Sequence, residues 1–197
     1  MVLTPNETKL LSYLFRHHKE QSSINGLAKK IGTTPKGTYN ILKKFECDAL
    51  VRKETIANAN IYHLNFQSSK TEDIIKYVLK SESQPNSCIR VLQKDLEPLH
   101  EFTDAIIIFG SVITKGLQAQ DIDVLLIIDK KNLTLIQSKI KEIEQTLPKK
   151  IHAIFQTKED MRKNLQKQDA IVIVAIQKGF IFWGYDVLYT LIRNDAS

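Results

Sequence analysis

The residues with the clearest chemical potential are two aspartates, Asp121 and Asp123, at the start of an apolar run that ends at Ile128. The run predicts a buried strand, and side chains two residues apart on a strand point to the same face. Both carboxylates should therefore lie together at one end of the strand. Carboxylate oxygens in this arrangement suit a hard divalent cation, Mg²⁺ or Mn²⁺. The sequence thus predicts a metal site at these two residues.

A tight turn is predicted shortly before the aspartates. The apolar run 105–108 predicts another buried strand, and the small residues Gly110 and Ser111 follow it after Phe109. Small residues let the backbone turn sharply and present its N–H groups, which together with the Ser111 hydroxyl can bind phosphate. Lys115 either reaches phosphate oxygens as a point charge or is simply solvated at the surface. The turn therefore predicts a site for a nucleoside triphosphate that shares the metal.

A Gly-Ser turn followed about ten residues later by Asp-x-Asp resembles the nucleotidyltransferases of the DNA polymerase β superfamily, in particular their small, "minimal" members from archaea and bacteria. The resemblance covers most of residues 103–185. It implies that Asp121 and Asp123 are catalytic, and that a nucleoside monophosphate is transferred from ATP-Mg²⁺ to a protein side chain, an RNA end or a small molecule. In the minimal branch, the implied role is an antitoxin that adenylylates a cognate HEPN toxin.

The third carboxylate of that family is missing here. The family takes it from the neighbouring strand, and the strand predicted at residues 151–155 carries His152 at that place. His152 is either a catalytic base with a pKa near neutrality or a structural residue. The nearby acids Asp104, Asp129 and Glu159 are predicted at strand ends and a helix start, where they are poor substitutes. An inactive domain that only senses nucleotide or dimerises is therefore the alternative.

The sequence of the first third of the chain predicts three helices followed by a hairpin. One helix begins at Thr4-Pro5, a second spans 24–31 before Gly32, and a third spans 36–45 after the turn and cap at Thr33-Thr34-Pro35. Strand-like runs then occupy 51–54 and 61–64, with a tip of Ala57-Asn58-Ala59-Asn60. The stretch from 24 to 64 resembles a winged helix-turn-helix. The resemblance implies DNA binding, with the third helix in the major groove and the hairpin against the backbone; a protein-interaction or dimerisation module is the alternative.

On this interpretation, the residues that face bases or phosphates are Lys36, Thr38, Tyr39 and Asn40. Those that attract phosphates independently of sequence are Lys43, Lys44, Arg52 and Lys53. Residues 1–67 contain ten Lys and Arg against five Asp and Glu, whereas the remaining residues contain 18 against 17. A basic first third is expected of a nucleic-acid-binding arm; a well-solvated surface is the alternative. Winged-helix DNA binders commonly form homodimers, but no residue in this sequence specifies one.

The 197 residues, with 43% hydrophobic and 25% charged residues and a net charge of +6, are typical of a soluble globular protein. We predict an α+β or α/β protein with a winged helix-turn-helix domain at 1–67, a linker and connecting helices at 68–102, and a small mixed-sheet nucleotidyltransferase-like domain with flanking helices at 103–197. Thr71 is the expected N-cap of the first connecting helix, residues 81–87 are expected to be a loop, and residues 89–102 to be one amphipathic helix.

The second domain is expected to continue with a helix at 132–147, helices at 159–166 and 169–177, and a tail at 178–184 packed on the sheet. Cys47 and Cys88 have no partner motif and are expected to be buried, reduced thiols of a cytoplasmic protein. The N-terminus lacks the pattern of a signal peptide. The longest apolar stretch is too short to span a bilayer, so no membrane partner is expected.

Overall fold

The chain folds as two units, which divide at Glu82 and Ser83. The computed structural model describes residues 2–56, 58–82 and 87–196, except the side chain of Leu117. The sequence-based boundary near residues 67–70 lies earlier than this division. Helix α4 (Ser69–Ser81) packs on α1 (Pro5–Arg16) through buried aliphatic side chains, and it therefore belongs to the first unit.

Three short helices form the body of the first unit: α1, α2 (Ile24–Ile31) and α3 (Pro35–Cys47). Each begins at a residue whose side-chain oxygen accepts a backbone N–H from the first turn, namely Thr4, Ser23 and Thr34. Such caps satisfy donors that a helix start leaves unpaired. Gly32 ends α2 in the left-handed conformation with φ 72°. These local signals explain why the predicted helix limits are close to the observed ones.

A two-stranded antiparallel hairpin follows, made of β1 (Val51–Ile56) and β2 (Ala59–Leu64). Asn58 adopts φ 66° at the turn, the left-handed conformation expected of an asparagine there, while Ala57 lies outside the described residues. An isolated bridge between Ser23 and Ile61 ties the start of α2 to the hairpin. This element order and pairing are those of a winged helix-turn-helix, as predicted.

The second unit is built on a four-stranded mixed sheet in the order β5-β4-β3-β6. Its strands are β3 (Thr103–Phe109), β4 (Ile122–Ile128), β5 (Ile151–Gln156) and β6 (Phe180–Trp183). Strand β3 pairs antiparallel with β4 and β6, whereas β4 pairs parallel with β5. Apart from Thr103, Asp104 and Asp123 near their starts, the central strands β3 and β4 are apolar and buried.

The helices of the second unit are α5 (Ser87–Leu96), α6 (Ser111–Lys115), α7 (Leu133–Glu144), α8 (Lys158–Gln166), α9 (Ala170–Lys178) and α10 (Tyr185–Asp195). Residues of α5 and α7 share a core with Ile122, Val124 and Leu126 of β4. Alternate residues of a strand point to opposite faces, so Asp123 points to the other face. Helices α8, α9 and α10 pack against the sheet strands.

Several predicted details are corrected by the structure. The helix predicted at 89–102 ends at Leu96 and continues as a 3₁₀ turn over Glu97–Phe102, because Pro98 cannot donate the next helical hydrogen bond. Thr71 is not an N-cap, since α4 begins at Ser69 and Thr71 is buried within it. Helix α10 was not predicted. It begins after Gly184, whose φ of 86° turns the chain.

The prediction for the cysteines is partly wrong, and the loop predicted at 81–87 lies largely outside the described residues. Cys47 is exposed at the end of α3, so the prediction that both cysteines are buried is wrong for Cys47; Cys88 is half-buried, and both are free thiols. Of the loop predicted at 81–87, residues 83–86 lie outside the described residues. Within the described part of the chain, none of the helices combines the length and the apolar character needed to cross a bilayer.

Candidate metal and nucleic-acid sites

Asp121 and Asp123 lie at one end of the central strands, where the sequence predicted them. Asp121 immediately precedes β4 and Asp123 is its second residue. In the sheet register, Asp123 is flanked by Phe109 of β3 on one side and by His152 of β5 on the other. Strand pairing therefore brings three polar side chains from two neighbouring strands to the same end of the sheet.

The three side chains form one cluster. His152 Nδ1 lies 3.3 Å from Asp121 Oδ2 and 3.6 Å from Asp123 Oδ1. One ligand atom from each of the three lies within 4.8 Å of the others, which is close enough for all three to hold a single ion. The side chains of Asp121 and Asp123 are 34% and 28% exposed, and that of His152 is 64% exposed. The cluster is thus open to solvent on one side.

Gly110 lies directly against this cluster. Its φ of 75° and ψ of −156° are in a region that L-residues rarely adopt, and a Cβ atom at this position would overlap Asp123 Oδ2. Glycine is therefore required here for two reasons, backbone conformation and space. The predicted meeting of the small-residue turn with the aspartates is present in the structure.

The two carboxylates of the cluster repel one another. Burial, and after it the charge of Asp121, raises the pKa of Asp123 above its ordinary value, and the neighbouring His152 offsets only part of this. Two carboxylates held together in this way are the usual ligands of a divalent cation. The residues present therefore fit the metal that the sequence resemblance implies, with Asp121 and Asp123 as oxygen ligands.

The predicted phosphate-binding residues follow the same turn. Ser111 begins the five-residue helix α6, and Lys115 ends it with an exposed side chain. Lys115 lies about 6 Å further along the helix axis, at 1.5 Å per residue. The predicted contacts of Ser111 and Lys115 with phosphate stay predictions.

The three acids considered as substitutes for a third carboxylate lie elsewhere. Asp104 is near the start of β3 and pairs with Lys158 at 2.8 Å, and Asp129 follows the far end of β4. Because β3 and β4 are antiparallel, both lie at the opposite end of the sheet from Asp123. Glu159 pairs with Lys163 on α8. Within the described residues, His152 is the side chain that completes the cluster.

The first unit presents a polar, basic face on α3. The exposed residues of this face, here called the α3 face, are Lys36, Tyr39, Asn40 and Lys43. The buried residues on the opposite side of α3 are Thr38, Leu42 and Phe45. At 3.6 residues per turn, the α3 face covers an arc of about 100°. Burial of one side of the helix thus fixes which side chains are presented to a partner.

Two residues of α3 differ from their predicted roles. Thr38 is fully buried and its hydroxyl donates to Thr34 O at 3.1 Å, so the prediction that it faces bases or phosphates is wrong. Lys44 lies at the edge of the α3 face and donates to Glu7 Oε1 of α1 at 2.7 Å. This ion pair draws the Lys44 ammonium toward the body of the unit.

Glu7 has a structural role that was not predicted from the sequence. It is 5% exposed and forms a capping box with Thr4 while also accepting from Lys44. Burial by itself raises the pKa of Glu7, but the hydrogen bonds from Lys44 and Thr4 outweigh it and leave the pKa below its ordinary value. The Thr4-x-x-Glu7 spacing is a recognisable capping-box signal. The contact with Lys44, 37 positions away, has no such local signal.

The hairpin carries two further exposed cations, on the strand that follows α3. Arg52 and Lys53 are exposed on β1, and β1 packs against α3. Their neighbour Glu54 lies 3.6 Å from His63 on β2. The predicted phosphate-contacting residues of the hairpin are therefore accessible.

No protein-family model matches this chain, and no curated protein matches it. Among solved structures, the chain is similar to MepR, a transcription regulator of the Staphylococcus aureus multidrug efflux pump MepA, at 19% identity and a TM-score of 0.35, over 50% of this chain and 78% of that chain. A MepR mutant from a multidrug resistant clinical isolate matches at 11% identity and a TM-score of 0.35, over 73% and 78%. A further S. aureus MepR mutant matches at 12% identity and a TM-score of 0.35, over 73% and 80%. Such scores do not establish a shared fold, so the winged-helix description rests on the elements of the first unit.

Proposed function

We propose that this protein is a DNA-binding regulator that contacts duplex DNA through α3 and the hairpin of its first unit. The observation that carries the proposal is the α3 face, whose exposed lysines flank a tyrosine and an asparagine on one side of a helix. A helix of this size fits the major groove of B-DNA, in which asparagine can pair with adenine and lysine with guanine.

The charges of the first unit support the same proposal. Lys36 and Lys43 on α3 and Arg52 and Lys53 on β1 are all exposed. Each cation that neutralises a phosphate releases a condensed counterion, so the logarithm of the binding constant falls with the logarithm of the salt concentration by about 0.9 per contact. Four contacts would give a slope of about −3.6. Lys44 is expected to add less because it is paired with Glu7.

Fluorescence anisotropy with a labelled random-sequence duplex tests the proposal. The full chain should bind with a dissociation constant of about 10⁻⁴ to 10⁻⁶ M near physiological salt, as other proteins do on non-specific DNA. Lys43→Gln should weaken binding and reduce the magnitude of the salt slope by about one unit. Lys70→Gln is the matched control, because Lys70 is an exposed lysine on α4, which packs on α1.

Wild-type binding that is weakened by Lys43→Gln and unchanged by Lys70→Gln supports the proposal. Absence of DNA binding at low salt contradicts it. Equal effects of the two substitutions also contradict it, because the charge of the unit would then matter more than the α3 face.

A second function is supported by the cluster in the second unit. We propose that Asp121 and Asp123 bind a divalent cation with a nucleoside triphosphate, and that the unit acts as a nucleotidyltransferase toward a protein, RNA or small-molecule acceptor. The observation in favour is the packing of the Gly110 turn against Asp123. A bound divalent ion would neutralise charge on the triphosphate during transfer. Asp121 and Asp123 would hold it, and the backbone around Gly110 and Ser111 would orient the phosphates.

Incubation with α-labelled ATP, Mg²⁺ or Mn²⁺ and acceptors of the three classes tests transfer. Label should appear on one acceptor with the wild type and be absent with Asp121→Asn and Asp123→Asn. Nucleotide binding is measured separately with a fluorescent ATP analogue. Binding without transfer would favour the regulator with an inactive second unit. Binding that both asparagine variants retain would contradict a role for this cluster.

A further inference from the structure

The third member of the cluster has a different chemistry from the other two. His152 presents a nitrogen, Nδ1, to both carboxylates at 3.3 and 3.6 Å. An Asp or Glu at this position would have presented a third oxygen. The position is fixed by the parallel register of β4 and β5, which places residue 152 beside Asp123.

The donor set decides which cation suits the site. Mg²⁺ strongly prefers oxygen ligands in near-ideal octahedral geometry, whereas imidazole nitrogen suits Zn²⁺ best and is also accepted by Mn²⁺, which otherwise prefers oxygen ligands. Mixed carboxylate and imidazole ligands are typical of Zn²⁺ sites that keep an open position for water or substrate. Binding of Mg²⁺ to two oxygens and one nitrogen should therefore depend little on His152. A transition-metal ion gains a third ligand from the imidazole nitrogen.

We propose that Asp121, Asp123 and His152 form a three-ligand site for a transition-metal dication, Zn²⁺ or Mn²⁺, which binds through His152 Nδ1 in preference to Mg²⁺ and without nucleotide. This inference deepens the second proposed function, and it rests on that function for what the metal does. The ligand atoms of the three residues come within 4.8 Å of one another. Partial exposure of all three leaves further coordination positions open on the solvent side.

This assignment changes the role predicted for His152. A general base must offer a free lone pair to the proton that it removes. The nitrogen that faces the cluster is Nδ1, and a lone pair that binds a metal cannot accept a proton. His152 therefore acts at this position as a ligand rather than as the base.

Metal binding to the chelator-treated full chain provides the test. Titration with Mn²⁺, followed by the electron paramagnetic resonance signal of free Mn²⁺, should show one site per chain without nucleotide. An equimolar amount of Zn²⁺ should displace the Mn²⁺, whereas a 100-fold excess of Mg²⁺ should not. Asp123→Asn should abolish this site.

Two substitutions of His152 show whether its side chain is a metal ligand or merely lies near the site. His152→Ala should weaken Mn²⁺ binding by about 10-fold or more and should leave thermal unfolding nearly unchanged, because the side chain is largely exposed. His152→Asp supplies a third oxygen, so Mg²⁺ should compete about 10-fold better than in the wild type. His63→Ala is the matched control, since His63 lies in the first unit.

The proposal is overturned by any of three results: no Mn²⁺ binding without nucleotide, unchanged binding in His152→Ala, or equal competition by Mg²⁺ and Zn²⁺ in the wild type. Nucleotide binding in Mg²⁺ is measured in parallel. If that binding is present and the metal preference is absent, only this inference fails. If the His152-dependent metal site is present and no nucleotide binds, the nucleotidyltransferase proposal fails and the metal site stands.

Discussion

The carboxylate of Asp123 occupies the space that a side chain on residue 110 would need. Gly110 holds a positive φ of 75°, and a Cβ there would overlap Asp123 Oδ2. The turn after β3 and the start of β4 are thus in direct contact at the candidate metal site. A residue with any side chain at position 110 would have to displace the carboxylate or the turn.

The first prediction concerns this contact. Gly110→Ala should weaken binding of metal and of the fluorescent ATP analogue by at least about 10-fold, and should cost about 2–3 kcal/mol of unfolding free energy from backbone strain and displacement of Asp123. Trp183 is the only tryptophan of the chain and lies in the second unit, so its fluorescence can follow unfolding of that unit.

Gly116→Ala is the control for Gly110→Ala. Gly116 also has a positive φ, 53°, but its nearest neighbour atom for an added Cβ is Cys88 Cβ at 3.8 Å. The Gly116→Ala variant should therefore lose stability through backbone strain alone and should keep metal binding. Equal loss of binding in the two variants would show that general destabilisation, not the Asp123 contact, is responsible.

The second prediction is that Asp123 is needed for metal binding but lowers the stability of the metal-free protein. Burial and the charge of Asp121 raise the pKa of Asp123, so its ionised form is unfavourable in the folded protein without metal. Asp123→Asn should therefore raise the unfolding free energy at pH 7 in a chelator by up to about 1 kcal/mol. Added metal should stabilise the wild type and not the variant. A variant that is less stable than the wild type in the chelator would contradict this electrostatic explanation.

The third prediction concerns the ion pair between Glu7 and Lys44. Glu7→Gln keeps a side chain that can complete the capping box but removes the charge that faces Lys44. It should destabilise the first unit by about 1 kcal/mol at pH 7. Because the folded pKa of Glu7 is lowered, its contribution is complete above the ordinary value of 4.5 and is lost as the pH falls through the folded value.

Urea unfolding followed by circular dichroism at pH 7 and below pH 4 checks the Glu7 prediction. The difference between wild type and Glu7→Gln should be present at the higher pH and shrink at the lower one. Lys44→Gln should cause a similar loss, and the double substitution should cost less than the sum of the two. Additive losses at pH 7 would mean that the two residues are not coupled.

Local signals explain how much of the fold could be predicted from sequence. The caps at Thr4 and Thr34 and the left-handed Gly32 act over a few residues, so they fixed helix limits closely. The period of two along β4 placed Asp121 and Asp123 together for the same reason. Helix α10 was missed although Leu188, Leu191 and Ile192 have helical spacing, because the predicted elements ended with the tail at 178–184.

The features that could not be predicted from the sequence depend on tertiary packing. Thr38 was placed on the exposed side of α3, but the orientation of that helix depends on contacts with α2 and β1. The pairing of Lys44 with Glu7 joins residues from two helices, and the distances from His152 Nδ1 to the aspartates depend on strand register. Each of these is a contact between elements rather than within one.

Photo-crosslinking tests most directly whether the α3 face contacts DNA. Tyr39 is 44% exposed on α3 and Tyr77 is 59% exposed on α4, so a benzophenone amino acid can replace either one. We expect that, on irradiation with bound duplex, the chain carrying the probe at position 39 crosslinks to DNA and the chain carrying it at position 77 does not. Crosslinking from position 77 with none from position 39 would contradict it.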